Sequence, residues 1–271
     1  GHQGDAGASV RCSADAMTDR APFHLLAKPS GPACNLECSY CFYLKKDALF
    51  ATSLPRRMND RVLETFVRDY IAGQDAHEIN FAWQGGEPTL LGVSFFEKVV
   101  SLQHIHAGGK RITNALQTNG TLLDDKWGRF LREHGFLVGV SLDGPRTLHD
   151  WHRRDKGGEP TFDRVMAGLA VLQRHHVEFN LLTVISSANA PHAAEVYALL
   201  KRTGARFLQF IPLVERAMTQ ANTLASVPAS SVATAESVRP QQFADFLNTI
   251  FDTWVRRDVG RVFVQAFDVA L

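Results

Sequence analysis

Cys34, Cys38 and Cys41 stand together in the run CNLECSYC, with the spacing C-x3-C-x2-C. The remaining cysteine, Cys12, lies upstream, and none follows Cys41. Thiolate is the soft ligand that iron–sulfur clusters take. Three close thiolates can hold three irons of a four-iron cluster and leave the fourth without a protein ligand. An open iron is a place where chemistry can happen, so the pattern points to an iron–sulfur enzyme. Three other readings compete. A structural zinc site needs four protein ligands, usually as two separated pairs; His24 or Cys12 would have to complete it from upstream. An electron-transfer ferredoxin would need four cysteines per cluster. The three could also be ordinary buried cysteines, because Tyr40, Phe42 and Tyr43 form a hydrophobic shell in any case.

Such a loop needs a scaffold. Apolar, β-rich segments alternate with amphipathic ones from about residue 22 to the end. The sequence predicts strands over 23–27, 78–83, 111–117, 137–142, 178–185, 206–211 and 261–267. Most are too apolar to leave one face wet, as expected of parallel strands covered by helices. Helices are predicted over 59–72, with Asn59 as N-cap, over 161–175, and over 240–257, where Pro240 suits the first turn. Alternating β and α predicts a parallel sheet. Six such units make an α/β fold of the partial (β/α)6 TIM-type barrel kind, with a doubly wound sheet as the competing architecture. The cysteine loop follows the first strand and so belongs at the C-terminal face, where α/β folds place their chemistry.

Bulk properties narrow the partners. The formal charge of +1 over 271 residues gives no reason to expect nucleic acid or an acidic membrane. No apolar run approaches the length of a membrane-spanning helix. Few cysteines, mostly clustered, argue for a reducing compartment, hence the cytoplasm. Residues 1–21 read as a disordered leader in which Cys12 is a free thiol. Residues 217–238, rich in Ala, Ser and Thr, read as a long mobile loop.

Other strand ends carry candidate groups. Gly85, Gly86, Glu87 and Pro88 follow the second strand, where two glycines let backbone approach a ligand. Gln117, Thr118, Asn119 and Gly120 end the third strand and fit simple turn chemistry equally well. Ser141, Asp143 and Gly144 end the fourth, and Arg153 lies shortly after. Taken alone, Ser141 reads as a turn serine and Arg153, beside Arg154, as a surface residue.

CNLECSYCFY resembles the signature of radical S-adenosylmethionine enzymes. The resemblance implies a [4Fe-4S] cluster on Cys34, Cys38 and Cys41, with S-adenosylmethionine on its open iron. It places Tyr40, Gly85, Gly86, Glu87, Ser141 and Arg153 at the cofactor, with the GGEP segment receiving the amino group and Ser141 and Arg153 reaching the carboxylate. The blocks KPSGPACNLECSYCFYLKK, NFAWQGGEPTLLG, LQTNGTLLDD, FLVGVSLDGP, VEFNLLTV and FLQFIPLVER resemble, more narrowly, anaerobic sulfatase-maturating enzymes. That family oxidises a cysteine or serine of a sulfatase to Cα-formylglycine through a 5′-deoxyadenosyl radical. The implied substrate is a sulfatase segment of the Cys/Ser-x-Pro-x-Arg type, and the implied reductant a small electron donor such as flavodoxin or ferredoxin. Asp268, in RVFVQAFD, is by the same resemblance the base near the reacting Cβ; on the residues alone it reads as a helix cap. Residues 22–271 correspond to the radical domain. Relatives add a C-terminal domain with two auxiliary clusters, for which this chain has no cysteines. A crosslink-forming radical peptide maturase is the nearest alternative, and a zinc-stabilised α/β binding protein a remote one.

Overall fold

The computed structural model describes residues 22–44, 57–216 and 233–270. The expected leader with Cys12, and most of the expected loop over 217–238, lie outside the described residues. Seven parallel strands form one sheet in sequence order: β1 (Leu26–Ala27), β2 (Glu78–Trp83), β3 (Arg111–Thr118), β4 (Leu137–Ser141), β5 (Phe179–Ile185), β6 (Phe207–Pro212) and β7 (Phe263–Val264). β1 and β7 are its two edges, so the curved sheet is the expected partial barrel rather than a closed or doubly wound one. Between the strands run α1 (Asp60–Ala72), α2 (Val93–His106), α3 (Asp125–Glu133), α4 (Arg146–His152), α5 (Phe162–Arg174), α6 (Ala193–Arg202) and α7 (Pro240–Arg257), and α8 (Gln265–Asp268) follows β7. No helix among the described residues is long and apolar enough to cross a membrane.

The helices predicted over 59–72, 161–175 and 240–257 start within a residue of where the sequence places them. Asn59 Oδ1 accepts from Val62 N at 2.9 Å and caps α1, a contact worth about 1 kcal/mol. Pro240 takes the first position of α7, where its missing N–H costs nothing. α1 buries Leu63, Val67, Tyr70 and Ile71 against the sheet. The helix-facing side of β2 supplies Ile79, Phe81 and Trp83, each about 1% exposed. Trp83 meets Phe81 and Phe96 at centroid distances of 5.8 Å. Each fully buried large side chain of this kind contributes roughly 1.5–3 kcal/mol.

The strands are not uniformly apolar, contrary to the sequence expectation. On β2 to β4 the alternate residues that face the barrel interior are mostly small or polar: Asn80 donates to Thr113 Oγ1 at 3.0 Å, and Ala82, Ala115, Gln117 and Gly139 line, with Asn180 of β5, a cavity of about 180 Å³, whereas Leu182 and Val184 of β5 and Ile211 of β6 keep that side apolar. The helix layer takes the more apolar face, and the incompletely closed interior accommodates the polar groups of β2 to β4.

Both edge strands are shorter than predicted. Residues 23–25 satisfy their backbone elsewhere, with Phe23 N donating to Gln74 Oε1 and Leu25 N to Tyr70 Oη, both at 3.3 Å. Strand 261–267 is reduced to Phe263–Val264, after which the chain turns into α8. The turn lets Phe267 pack at 5.2 Å against both Phe251 and Trp254 of α7. Packing against a neighbour here overrides a β-favourable local pattern.

Candidate active site

The C-terminal ends of β1 to β6 converge on one cavity of about 380 Å³. Its wall includes Cys34, Cys38, Tyr40, Cys41, Gly85, Gly86, Ser141 and Arg153, all predicted from the sequence, together with Gln117, Thr118 and Asn119. An apolar side is supplied by Leu182, Val184, Ile211, Leu213 and Val214, and Glu215 stands among them.

The cysteine loop is tied down on both flanks. Glu37 N donates to Arg154 O at 2.8 Å and Ser39 N to His152 O at 3.0 Å, which fixes it to the end of α4. Ser39 Oγ and His152 Nδ1 lie 2.7 Å apart. On the other flank, Gly86 N donates to Gly31 O and Glu87 N to Ala33 O, each at 2.8 Å. This second contact explains the glycine pair. A Cβ on Gly86 would lie 2.1 Å from Ala33 O and 2.5 Å from Pro32 O. Gly85 holds φ +121°, a conformation that L side chains rarely adopt. The glycines therefore allow the turn to approach the chain's own cysteine loop, besides leaving backbone open to the cavity.

Glu87 does not line the cavity. Its fully buried carboxylate points behind the turn, where it accepts from Thr89 N at 3.0 Å, Thr89 Oγ1 at 2.6 Å, Thr118 Oγ1 at 2.7 Å and Asn119 N at 2.7 Å. Burial pushes its pKa up, opposed by the donors from Asn119, Thr89 and Thr118. Glu87 thus shapes the ends of β2 and β3 and is turned away from any ligand in the cavity.

Arg153 is buried, not the surface residue that its sequence neighbourhood suggests. Its Nε donates to Asp143 Oδ2 at 2.8 Å, and Arg154 beside it is exposed. Asp143 also accepts from Tyr40 Oη and, at 3.0 Å, from Val184 N. The guanidinium lies 5.5 Å from the Tyr40 ring centroid. Burial alone would raise the Asp143 carboxyl, but Arg153, His149 and the Tyr40 hydroxyl hold it below the usual range. One carboxylate thus orients both a cationic and an aromatic side chain at the cavity wall. On sequence alone Asp143 reads only as part of a turn; its position two residues after Ser141 at a strand end is the available signal. Ser141 Oγ accepts from Gln117 Nε2 at 3.2 Å across the barrel mouth.

Asp268 is not at a strand end and does not cap a helix start. It is exposed, the last residue of α8, and does not line the cavity.

The donor set fits an iron–sulfur cluster. Three thiols face a cavity rather than packed core, and Leu36 N donates to Cys34 Sγ at 3.3 Å, as ligating sulfurs accept. Burial raises the Cys34 thiol and pushes the Cys38 thiol up to about 12; iron takes thiolate, so ligation here would release protons. Of the two upstream groups that could complete a zinc site, His24 is exposed ahead of β1 and does not line the cavity, and Cys12 lies outside the described residues.

The Radical SAM superfamily model matches residues 29–200. The chain is 41% identical over 255 residues to a serine-type anaerobic sulfatase-maturating enzyme of Bacteroides thetaiotaomicron, covering 92% of this chain and 61% of that protein. It is 38% identical to a cysteine-type anaerobic sulfatase-maturating enzyme of Clostridium perfringens, covering 91% and 65%. Among solved structures, native anSMEcpe with bound AdoMet and Cp18Cys peptide superposes with a TM-score of 0.78 at 38% identity, covering 91% of this chain and 64% of that one. The chain thus spans a little under two thirds of the length of these relatives. The matched segment contains the cysteine loop, the glycine turn, Ser141 and Arg153: the chain belongs to the radical SAM superfamily.

Proposed function

We propose that this chain carries the radical half of an anaerobic sulfatase-maturating activity, the oxidation of a cysteine or serine side chain in a sulfatase to Cα-formylglycine. The observation that carries the reading is the convergence of three thiols, a glycine turn and a buried arginine on one cavity, in a chain similar to both serine-type and cysteine-type enzymes. Cys34, Cys38 and Cys41 are assigned to a [4Fe-4S] cluster with one open iron, and the neighbouring wall to S-adenosylmethionine. Bound together, these groups supply a 5′-deoxyadenosyl radical that removes a hydrogen atom from carbon.

The chain's own residues then have distinct tasks. Gly85 and Gly86 offer backbone, without side chains, to the amino group of the cofactor. Ser141 and Arg153 face its carboxylate; a guanidinium already locked to Asp143 loses little freedom on meeting a second anion. Tyr40, oriented by the same Asp143, forms an aromatic wall. Glu87 acts on the cofactor only through the turn it supports. The apolar side near Leu182, Val184 and Val214 excludes water from the reacting carbon. Oxidation of Cβ also releases a second electron, to be taken up by an oxidised iron–sulfur centre, and the thiol or hydroxyl proton, which Asp268 is assigned to accept; in the cysteine case water then replaces sulfide. Since Asp268 stands outside the cavity, this assignment requires the substrate segment to bridge from the cavity to α8. The partners are an extended sulfatase segment and a small electron donor such as flavodoxin or ferredoxin, in the cytoplasm.

The test is anaerobic incubation of the reconstituted protein with S-adenosylmethionine, a reductant and peptides of the Cys-x-Pro-x-Arg and Ser-x-Pro-x-Arg types. Mass spectrometry should show an aldehyde in place of the CH2SH or CH2OH group. Cofactor cleavage with a crosslinked peptide instead would reassign the substrate class, and a protein that binds no iron would end the proposal.

A further inference from the structure

Asn119 closes a ring of side-chain hydrogen bonds with Asn35 and Thr121 beside the first cysteine. Its Nδ2 donates to Asn35 Oδ1 at 2.9 Å and reaches Cys34 Sγ at 3.7 Å. Its Oδ1 accepts from Thr121 N at 3.0 Å and Thr121 Oγ1 at 2.7 Å. Thr121 Oγ1 in turn accepts from Asn35 Nδ2 at 2.9 Å. The backbone of the same residue is held from behind, because Asn119 N donates to the buried Glu87 Oε2. Thr118 Oγ1, one residue earlier, donates to Glu87 Oε1.

Hydrogen bonds to the sulfurs of an iron–sulfur cluster stabilise its more negative, reduced state and raise its potential. A side-chain amide does this only if it is aimed. At a cavity wall an unrestrained Asn would turn toward water. The ring through Asn35 and Thr121 fixes its rotamer, and Glu87 fixes the backbone from which it projects.

We propose that Asn119 tunes the cluster held by Cys34 by donating to its sulfur, and that Glu87 is the positioning residue that aims it. The proposal rests on the cluster assignment above and goes beyond it by giving Glu87 a task away from the cofactor. Glu87 also carries charge, and the two effects have opposite signs. Removing a nearby negative charge shifts the potential up, whereas losing an aimed donor shifts it down.

Asn119→Ala, Glu87→Gln and the double variant are reconstituted in the full chain. Iron and sulfide are counted, and each protein is titrated anaerobically with the reduced cluster followed by electron paramagnetic resonance. Asn119→Ala should load wild-type iron and show a downward shift of midpoint potential. The shift caused by Glu87→Gln should be more negative in the wild-type background than in the Asn119→Ala background, because only the former has a donor left to misaim. Thr118→Val, which removes one of the Glu87 contacts, should shift the potential down by less than Asn119→Ala and serves if Glu87→Gln does not fold. A wild-type potential in Asn119→Ala overturns the tuning role. Equal Glu87→Gln shifts in both backgrounds overturn the positioning role. A wild-type chain that takes up no four-iron cluster overturns the cluster assignment itself, a result separable from either.

Discussion

Replacing Gly86 by Ala tests the claim that the glycine turn exists first to dock against the cysteine loop. The added Cβ would lie 2.1 Å from Ala33 O and 2.5 Å from Pro32 O, both backbone atoms with no rotamer to yield. Relief requires the turn and the loop to separate by about 1 Å. Two backbone hydrogen bonds of 2.8 Å join the same surfaces, Gly86 N to Gly31 O and Glu87 N to Ala33 O. Losing them costs about 1 kcal/mol each, and residual overpacking adds about 1–3 kcal/mol. The expected destabilisation is therefore roughly 3–5 kcal/mol, read as a lower urea midpoint in the cluster-free protein. Separation also moves Cys34, so iron content after reconstitution should fall. Gly157→Ala is the control. Its Cβ meets only Asp155 Oδ1, a side-chain atom, at 3.3 Å, and the change should stay within about 0.5 kcal/mol. Wild-type stability and iron loading in Gly86→Ala would refute the docking argument and leave the glycines a role toward ligand alone.

The remaining predictions concern pH, ligation and the proton acceptor. His149 is buried neutral, its pKa lowered from 6.5 to about 4 by burial; it accepts from Asp143 N at 3.3 Å, so its other ring nitrogen donates to Thr161 Oγ1 at 3.1 Å. The unfolded chain takes up this proton first, so the contribution is complete above about pH 6.5 and is lost as pH falls toward 4, roughly 2 kcal/mol of it by pH 5. Urea unfolding at pH 7 and pH 5 should show that loss, and His149→Gln should reduce the slope to what the likewise lowered His152 supplies. Arg153→Gln leaves the Asp143 carboxylate buried without its cation and should cost about 3–5 kcal/mol, together with cofactor affinity by calorimetry; unchanged stability would mean that the pair is not the anchor argued for it. Single Cys34→Ala, Cys38→Ala and Cys41→Ala variants should each lose the visible cluster absorbance, and normal iron in any one would remove that cysteine from the ligand set. Asp268→Asn should still cleave S-adenosylmethionine yet make no formylglycine; full product by peptide mass spectrometry would dismiss Asp268 as the acceptor.

Sequence by itself determined the local and the periodic. Cysteine spacing fixed which residues can share a cluster, because ligand identity and short separation are properties of the chain. Alternating segments gave the parallel α/β sheet, and α1, α5 and α7 begin where Asn59, residue 161 and Pro240 placed them. Tertiary structure decided whatever depends on which surfaces meet. Beside Arg154 the sequence reads Arg153 as superficial, but Asp143 after β4 and Tyr40 of the cysteine loop enclose it. The family resemblance places Glu87 at the cofactor, whereas Thr118 and Asn119 at the end of β3 hold its carboxylate behind the turn. The strand predicted over 261–267 gave way at Val264 because Phe267 gained Phe251 and Trp254 as neighbours. In each case the deciding partner is distant in sequence. Desolvating a charge or an aromatic ring is favourable only against a matching surface, and that surface exists only once the barrel has brought its strand ends together.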